Sequence, residues 1–197
     1  MRVLYDHPGW HQNRRAVRTP RGPRTAYTGP HGITRPNSTA MDVYRPDTLG
    51  PAVPAPLRSR LAQGGPVQRL RNPDLWEAVA TAIIRQVIRA DEARKTHRPF
   101  TESGAPAPGG GPRALPDPED VLVLADKEFA ELGMAFKRAP LRAAAAACIE
   151  HGAKWSSLDP ADLVFELQSV PRIGPWTAGA AVADFTGDFS LYPYGDM

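Results

Sequence analysis

Residues 170–197 read VPRIGPWTAGAAVADFTGDFSLYPYGDM, and this stretch decides how the rest of the sequence is interpreted. Pro171 ends one helix and Pro175 begins the next, because proline suits the first position of a helix but not its interior. Between them, Gly174 is predicted to turn the backbone at a positive φ. A helix that starts after such a turn offers free backbone N–H groups to an anion, and Arg172 adds positive charge. The stretch therefore predicts either a phosphate-binding hairpin or a plain connection between two helices.

Upstream of the hairpin, apolar residues recur at helical spacing. The sequence NPDLWEAVATAIIRQVIRADEARKTH, residues 72–97, predicts one helix with Asn72 as its N-cap. Gly133 is typical of a residue that follows the end of a helix. Asp159 and Pro160 are typical of the N-cap and the first residue of another helix. These helices are predicted over residues 117–133 with a break, 139–153, 159–170 and 175–187. The pattern predicts an all-α fold of five or six short helices.

The first 60 residues differ in composition from the remainder. The 197-residue chain contains 22 prolines and 17 glycines, which crowd stretches such as TPRGPRTAYTGPHGITRPN, where no helical or alternating period survives. Residues 1–60 are therefore predicted to form a flexible basic arm or a reduced N-terminal subdomain, in extended coil or short irregular strands. A helical domain over residues 61–197 follows.

Charge in this long Pro/Gly/Arg-rich N-terminal arm is one-sided. The whole chain has a formal net charge of +3 and a pI near 9.2, but before residue 48 eight arginines face three aspartates. Such an arm favours a polyanion such as nucleic acid through counterion release. The alternative is a solvated arm that binds nothing specific.

The composition argues against several classes of site and location. Cys148 is the only cysteine, so neither a disulfide framework nor a cysteine-ligated zinc or iron–sulfur site can form within one chain. No metal site is predicted. No run of about eighteen apolar residues occurs, so we expect no membrane partner, and residues 1–15 lack the apolar run of a signal peptide. We therefore expect a cytoplasmic, nucleoid-associated protein of a bacterium.

Three blocks of the sequence together resemble the helix-hairpin-helix–GPD (HhH-GPD) superfamily of DNA glycosylases. VPRIG and the following PWTA are similar to that family's hairpin, and Asp196 follows Trp176 by twenty residues, as in the 3-methyladenine DNA glycosylase II type. LWEAVATAIIRQVIRADEA resembles the family's first core helix, and GMAFKRAPL resembles a later helix start. The resemblance implies a helical HhH-GPD bundle and a DNA glycosylase of base-excision repair, acting on damaged, alkylated purines in double-stranded DNA.

The resemblance also implies roles for individual residues. Asp196 would be catalytic, its carboxylate stabilising an oxocarbenium-like sugar or activating water. Trp176 would line the base pocket; it stands where bifunctional relatives carry a Schiff-base lysine, which implies a monofunctional hydrolase. Val87 would be an apolar wedge. The implied DNA contacts are Arg172, Ile173, Gly174, Thr177, Gln86, Val87, Lys137 and Arg138. The alternative role for Trp176 and Val87 is packing in the protein core. The alternative for Lys137 and Arg138 is that they are solvated residues at the start of a helix and do not contact DNA.

Some features depart from the family. Arg172 replaces the first glycine of the hairpin, and only Met197 follows Asp196, whereas relatives continue with two or more helices. We therefore expect a C-terminally incomplete domain, either completed by a second chain or acting as a non-catalytic DNA-binding remnant. A helical bundle with no role on nucleic acid is a further alternative. The resemblance implies no organic cofactor. In the family, carbonyl groups of the hairpin bind a monovalent cation, and the resemblance allows such a cation at the hairpin of this chain.

Overall fold

A computed structural model describes residues 1–192, in which eight α-helices and six short β-strands are found. The helices are α1 (Ala55–Gly64), α2 (Leu75–Arg85), α3 (Ala90–Glu102), α4 (Pro118–Val123), α5 (Asp126–Glu131), α6 (Arg138–Trp155), α7 (Pro160–Leu167) and α8 (Pro175–Thr186). The strands are β1 (Arg2–Val3), β2 (Arg14–Val17), β3 (Arg24–Gly29), β4 (Gly32–Thr34), β5 (Met41–Tyr44) and β6 (Val67–Leu70). Asp196, the predicted catalytic residue, lies outside the described residues.

The first core helix is shorter than predicted at both ends. Asp74, not Asn72, is the N-cap of α2, and its side chain accepts the backbone N–H of Glu77 at 2.8 Å. The helix stops at Arg85 and the chain resumes as α3 at Ala90. The predicted single helix over residues 72–97 is therefore wrong, because the backbone breaks in the middle of the helical pattern.

Other helix boundaries follow the predicted signals. Asp159 is the N-cap of α7 and Pro160 is its first residue. The predicted break between residues 117 and 133 separates α4 from α5, and Gly133 lies just beyond α5 with a φ of 69°. Proline at a helix start and glycine at a helix end are local requirements, which explains why these boundaries could be predicted.

The helical core is built around α2, which packs against α8, α6 and α3, while α4 packs on α6 and α7 on α8. Ten of the eleven residues of α2 are buried. The largest fully buried apolar side chains of this core are Trp155, Phe100, Phe129, Ile83, Ile84, Leu115, Met134, Leu141, Leu163 and Leu167. Within residues 1–192, no helix is both long and apolar enough to cross a lipid bilayer.

The N-terminal segment forms two small sheets. In one sheet β1 pairs parallel with β6, which pairs antiparallel with β5; in the other, β2, β3 and β4 form an antiparallel meander. The helical part of the predicted fold is confirmed, but the prediction of an all-α chain is too narrow. β6 lies after residue 60 and completes the first sheet, so elements on both sides of the predicted boundary share hydrogen bonds.

Buried ion pairs attach these sheets to the helices. Arg15 on β2 donates from Nη2 to Glu77 Oε1 on α2 at 3.2 Å, and the side chain of Arg69 on β6 pairs with Asp184 on α8. All four side chains are at least nine-tenths buried. The arginines predicted for a basic arm are therefore partly used inside the protein, where long-range contacts override the local composition.

Candidate nucleic-acid interface

The hairpin between α7 and α8 is held by apolar side chains. Val170 and Ile173 are buried in the helical core, and the Ile173 N–H donates to the Val170 carbonyl at 3.1 Å. Arg172 lies at the exposed tip between them. α8 then begins at Pro175 with Gly174 as its N-cap. The core thus holds the tip of the turn and the start of α8 at the protein surface.

The residue that turns the hairpin is not the predicted one. Gly174 has a φ of −89° and a ψ of −179°, because the residue before a proline is driven out of the helical region into the extended region. Arg172 takes the left-handed conformation instead, with a φ of 69°. This conformation costs a non-glycine residue about 1–2 kcal/mol. The prediction of a positive φ at Gly174 is therefore wrong, and the strain falls on an exposed arginine.

Gln86 joins the end of α2 to the hairpin. Its Nε2 donates to the Thr177 hydroxyl at 2.7 Å and to the Arg172 carbonyl at 3.1 Å. The backbone carbonyl of Gln86 accepts a hydrogen bond from the ammonium group of Lys137 at 2.7 Å. Partial burial lowers the pKa of this ammonium group. The structure thus brings together four of the predicted site residues, which come from three separate segments of the chain.

Val87 is the most unusual residue of this region. Its side chain is fully exposed, and its backbone is left-handed, with a φ of 59°. A positive φ at a β-branched residue is a true outlier that persists only where the surrounding structure imposes it. Here the neighbouring Gln86 is fixed on both sides by the contacts with the hairpin and with Lys137. Core burial of Val87, the alternative left open by the sequence, is excluded.

Two adjoining open depressions meet at Gln86 and Val87, and we call them together the groove. The first encloses about 680 Å³ and is lined by Arg85, Gln86, Val87, Ile88, Arg89, Arg172, Trp176 and Thr177. The second encloses about 450 Å³ and is lined by Gln86, Val87, Ile88, Thr96, Gly133, Phe136, Lys137, Pro140 and Arg172. None of these lining residues is acidic, and four carry a cationic side chain, so the groove suits a polyanion.

Phe136 was missed by the sequence reasoning. It lies in a short 3-10 turn (Ala135–Lys137) and its side chain is 96% exposed beside Val87. A signal was available in GMAFKRAP, where an aromatic residue adjoins two cations outside any helical apolar face. An exposed aromatic ring next to positive charge is typical of a surface that stacks on bases.

Four other predicted site residues do not simply expose their side chains in the groove. The side chains of Ile173 and Thr177 are buried, so either could reach a ligand only through its backbone. Arg138 pairs with Asp126 at 2.5 Å and does not line the groove. Trp176 is half-buried, packs against the core and also lines the groove. Its role in a base pocket stays a prediction.

No metal cluster is found in the part of the chain that the structure describes: no group of three or more His, Cys, Asp or Glu side chains there could hold a metal ion. The monovalent cation expected at the hairpin carbonyls stays a prediction. The relation of Trp176 to Asp196 also stays a prediction, because Asp196 is outside the described residues.

No family model matches this sequence, and no curated protein matches it. Solved structures do share its fold. The 3-methyladenine DNA-glycosylase from Archaeoglobus fulgidus aligns with a TM-score of 0.54 and 22% identity, over 62% of this chain and 43% of that one. The DNA-3-methyladenine glycosidase from Bacillus halodurans aligns with a TM-score of 0.58 and 19% identity, over 79% of this chain and 72% of that one.

An 8-oxoguanine enzyme has the same fold. The glycosylase/lyase from Clostridium acetobutylicum in its apo-form aligns with a TM-score of 0.64 and 14% identity, over 98% of this chain and 76% of that one. The same enzyme has been solved with double-stranded DNA containing cytosine opposite 8-oxoG. The chain thus spans less than half of the Archaeoglobus protein and about three quarters of the Clostridium one. The predicted glycosylase fold is confirmed, and it is shared by enzymes for different damaged bases.

Proposed function

We propose that this protein is a DNA glycosylase of base-excision repair that hydrolyses the N-glycosidic bond of damaged, alkylated purines. One observation carries the proposal: Gln86, fixed between the hairpin and Lys137, presents the strained and exposed Val87 in a groove lined by cations and flanked by Trp176. The fold shared with DNA glycosylases supports the same activity.

The hairpin is the proposed grip on the DNA backbone. The first N–H groups of α8 lack partners within the helix, and the positive end of the helix dipole lies at the same point. A DNA phosphate fits there as an anion does at other helix starts. The exposed guanidinium of Arg172 adds a charge-assisted contact. Cations along the groove then hold the neighbouring phosphates without reading sequence.

Val87 and Phe136 are the proposed groups that open the stack. Extruding a nucleotide costs a few kcal/mol of stacking and pairing, and an apolar side chain inserted between base steps offsets that cost. Val87 fills the gap left by the extruded nucleotide. Phe136, which lines the same depression as Val87, packs against the adjacent bases. The backbone strain at Val87 keeps the side chain projecting from the surface before DNA arrives.

The proposed chemistry needs one carboxylate and no organic cofactor. Trp176 stacks on the extruded base, which favours cationic alkylpurines through cation–π attraction. The C1′–N bond breaks, the bonding electron pair leaves with the base, and a cationic alkylpurine thereby departs neutral. Asp196 stabilises the resulting oxocarbenium-like sugar and accepts the proton of the water that adds to C1′. Trp176 has no amine for a Schiff base, so no strand cleavage follows.

The test is release of free base by the purified chain. Duplex DNA containing 7-methylguanine or 3-methyladenine is incubated with the protein, and the released base and any strand break are quantified. We expect base release with intact strands. Binding of duplex DNA that weakens with salt, without base release, would instead favour the non-catalytic DNA-binding remnant.

Replacing Val87 by glycine is expected to stabilise the protein and to slow base release. Glycine adopts a positive φ without strain, so the free energy of unfolding should rise by about 1 kcal/mol, or roughly 2–4 °C in Tm. Loss of the wedge should slow single-turnover release about 10- to 100-fold. Thermal unfolding and single-turnover kinetics measure the two effects separately.

The matched control for this change is Val87→Leu, which keeps an apolar side chain of similar length and should retain release. A stabilised Val87→Gly protein that releases base at the original rate would show that Val87 is not the wedge. Because Val87→Gly should raise the free energy of unfolding and yet slow base release, a slower reaction could not be attributed to partial unfolding.

A further inference from the structure

A small pocket lies between α1 and the first sheet. We call it the arginine-rimmed pocket and define it by six of the residues that line it: Arg2, Tyr44, Arg45, Leu49, Arg60 and Leu61. It encloses about 180 Å³, which is less than the roughly 300–1,000 Å³ of usual small-molecule sites. At about 30 Å³ per water, this is the volume of about six waters, which one large apolar side chain can displace. Within residues 1–192, the pocket and the groove have no lining residue in common.

The helix that forms one wall of this pocket is not covered by the rest of the protein. Within residues 1–192, α1 buries none of its ten residues, and its main contact with another element is the 3-10 turn Pro46–Thr48. Leu57 and Leu61 are four residues apart, so they lie on one side of the helix, and they are 49% and 43% exposed. A helix of this length is marginal in water unless its apolar side packs against something. The apolar side of α1 is therefore open to a partner.

The rim of the pocket carries positive charge without compensation. The guanidinium groups of Arg2, Arg45 and Arg60 are exposed and have no ion pair or hydrogen bond within residues 1–192. No acidic residue from this part of the chain lines the pocket. Asp42 on β5 is already paired with two other arginines, and Asp47 lies in the 3-10 turn outside the lining. The free charge favours a negatively charged partner.

One of these arginines is held in place before any partner binds. The Arg2 N–H donates to the Pro66 carbonyl at 3.2 Å, which fixes the backbone beside the end of α1. The Arg2 side chain lies against the last turn of this helix, since a Cβ atom added at Gly64 would come within 3.3 Å of Arg2 Nη1. A cation is favoured at that end by the helix dipole. A guanidinium that is ordered in advance lowers the entropy cost of binding.

The combination of charge and apolar walls distinguishes between two kinds of anionic partner. Duplex DNA offers phosphates to the arginines, and contacts with its backbone need only positive charge. It has no apolar side chain to fill a pocket walled by Tyr44, Leu49 and Leu61. An acidic peptide with one large apolar residue uses both features, because carboxylates pair with guanidinium groups in a bidentate geometry while the apolar residue leaves water.

We propose that the arginine-rimmed pocket docks a short acidic segment of a partner protein. A phenylalanine or leucine of that segment enters between Leu49 and Leu61, and the flanking carboxylates pair with Arg2, Arg45 and Arg60. This docking site is independent of the proposed glycosylase activity, since it involves none of the residues that line the groove in the described part of the chain.

The test is fluorescence anisotropy of a labelled peptide titrated with the full chain in about 0.15 M salt. The probe has seven residues, with a central phenylalanine flanked on each side by three acidic residues. We expect saturable binding of this peptide. A central alanine should weaken binding about tenfold or more, because a phenylalanine side chain then no longer leaves water. A peptide with asparagine and glutamine in place of the acidic residues should not bind up to about 500 µM protein.

Variants of the protein locate the binding. Arg60→Ala and Arg45→Ala should each weaken peptide binding about three- to tenfold, as expected for the loss of a charge-assisted contact. The matched control is Arg58→Ala, which removes the same charge from α1 at a position outside the pocket lining; it should change the affinity less than twofold. Arg172→Ala should bind the peptide normally while losing affinity for a labelled DNA duplex. Circular dichroism verifies that each variant is folded.

Four outcomes overturn the proposal. If the acidic phenylalanine peptide does not bind, the pocket is not a docking site for such a segment. If the central alanine peptide binds equally well, the apolar walls have no role. If Arg58→Ala weakens binding as much as Arg60→Ala, the peptide is attracted by a general positive surface. If Arg60→Ala weakens binding of the DNA duplex and leaves peptide binding unchanged, the pocket is a DNA contact.

Discussion

Replacing Asp196 by asparagine is expected to reduce release of 7-methylguanine from duplex DNA by about 10²- to 10⁴-fold, the range typical of a removed catalytic acid or base. Asparagine has the shape of aspartate but no negative charge and no basic oxygen to accept a proton. The carboxylate is proposed to stabilise positive charge that develops on the sugar only as the bond breaks. The loss should therefore be in the rate of bond cleavage and not in DNA affinity, which equilibrium binding and single-turnover kinetics measure separately.

Asp188→Asn is the matched control for this substitution. Asp188 is another aspartate after α8, and its Oδ1 accepts the Ser190 N–H at 2.8 Å, a bond that the asparagine oxygen can keep. We expect base release by this variant to be unchanged. Equal losses in the two variants, or undiminished release by Asp196→Asn, would contradict the role proposed for Asp196.

Replacing Arg69 by methionine is expected to lower the free energy of unfolding by about 3–5 kcal/mol, as for other buried ion pairs that lose one partner. Arg69 donates from Nε to Asp6 at 2.7 Å and also pairs with Asp184 and Asp42. Burial alone would lower its pKa, but Asp184 and Asp6 raise it above its ordinary value. Without the guanidinium, three carboxylates would face each other in a largely buried space.

Denaturant unfolding monitored by circular dichroism measures this loss. The control is Arg71→Met, which removes a neighbouring arginine that pairs with Asp42 but is one-third exposed; we expect it to cost about 1 kcal/mol or less. Adding Asp184→Asn to Arg69→Met should return part of the stability, because one uncompensated charge is removed. A loss that is the same for Arg69→Met and Arg71→Met would argue against a network centred on Arg69.

This network also connects the sheets to the proposed site. Asp184 lies in α8, the helix that starts at the hairpin. Arg69 stands in β6, and the Asn72 Nδ2 donates to Asp184 Oδ2 at 3.3 Å. We therefore expect the N-terminal sheets to fix the orientation of α8, so that a loss of sheet structure would reduce base release as well as stability.

The sequence by itself determined the features that depend on near neighbours in the chain. Asp159 and Pro160 start α7, Gly133 follows the end of α5, and the apolar spacing of α2 identifies the central helix. The hairpin position could be predicted because Pro171 and Pro175 limit the backbone within a few residues of themselves. Such preferences act locally, so they survive without knowledge of the fold.

Only the tertiary structure decided which residues meet. Gln86 and Thr177 are 91 residues apart in the chain, and Arg69 and Asp184 are 115 apart. Contacts of this range impose the left-handed backbone on Val87, bury Arg15 of the predicted basic arm, and form sheets from a segment without a strand pattern. They also leave Phe136 exposed beside the groove and direct Arg138 to Asp126. The energy of these features lies in packing and burial between distant segments, which overrides the local preferences that a sequence displays.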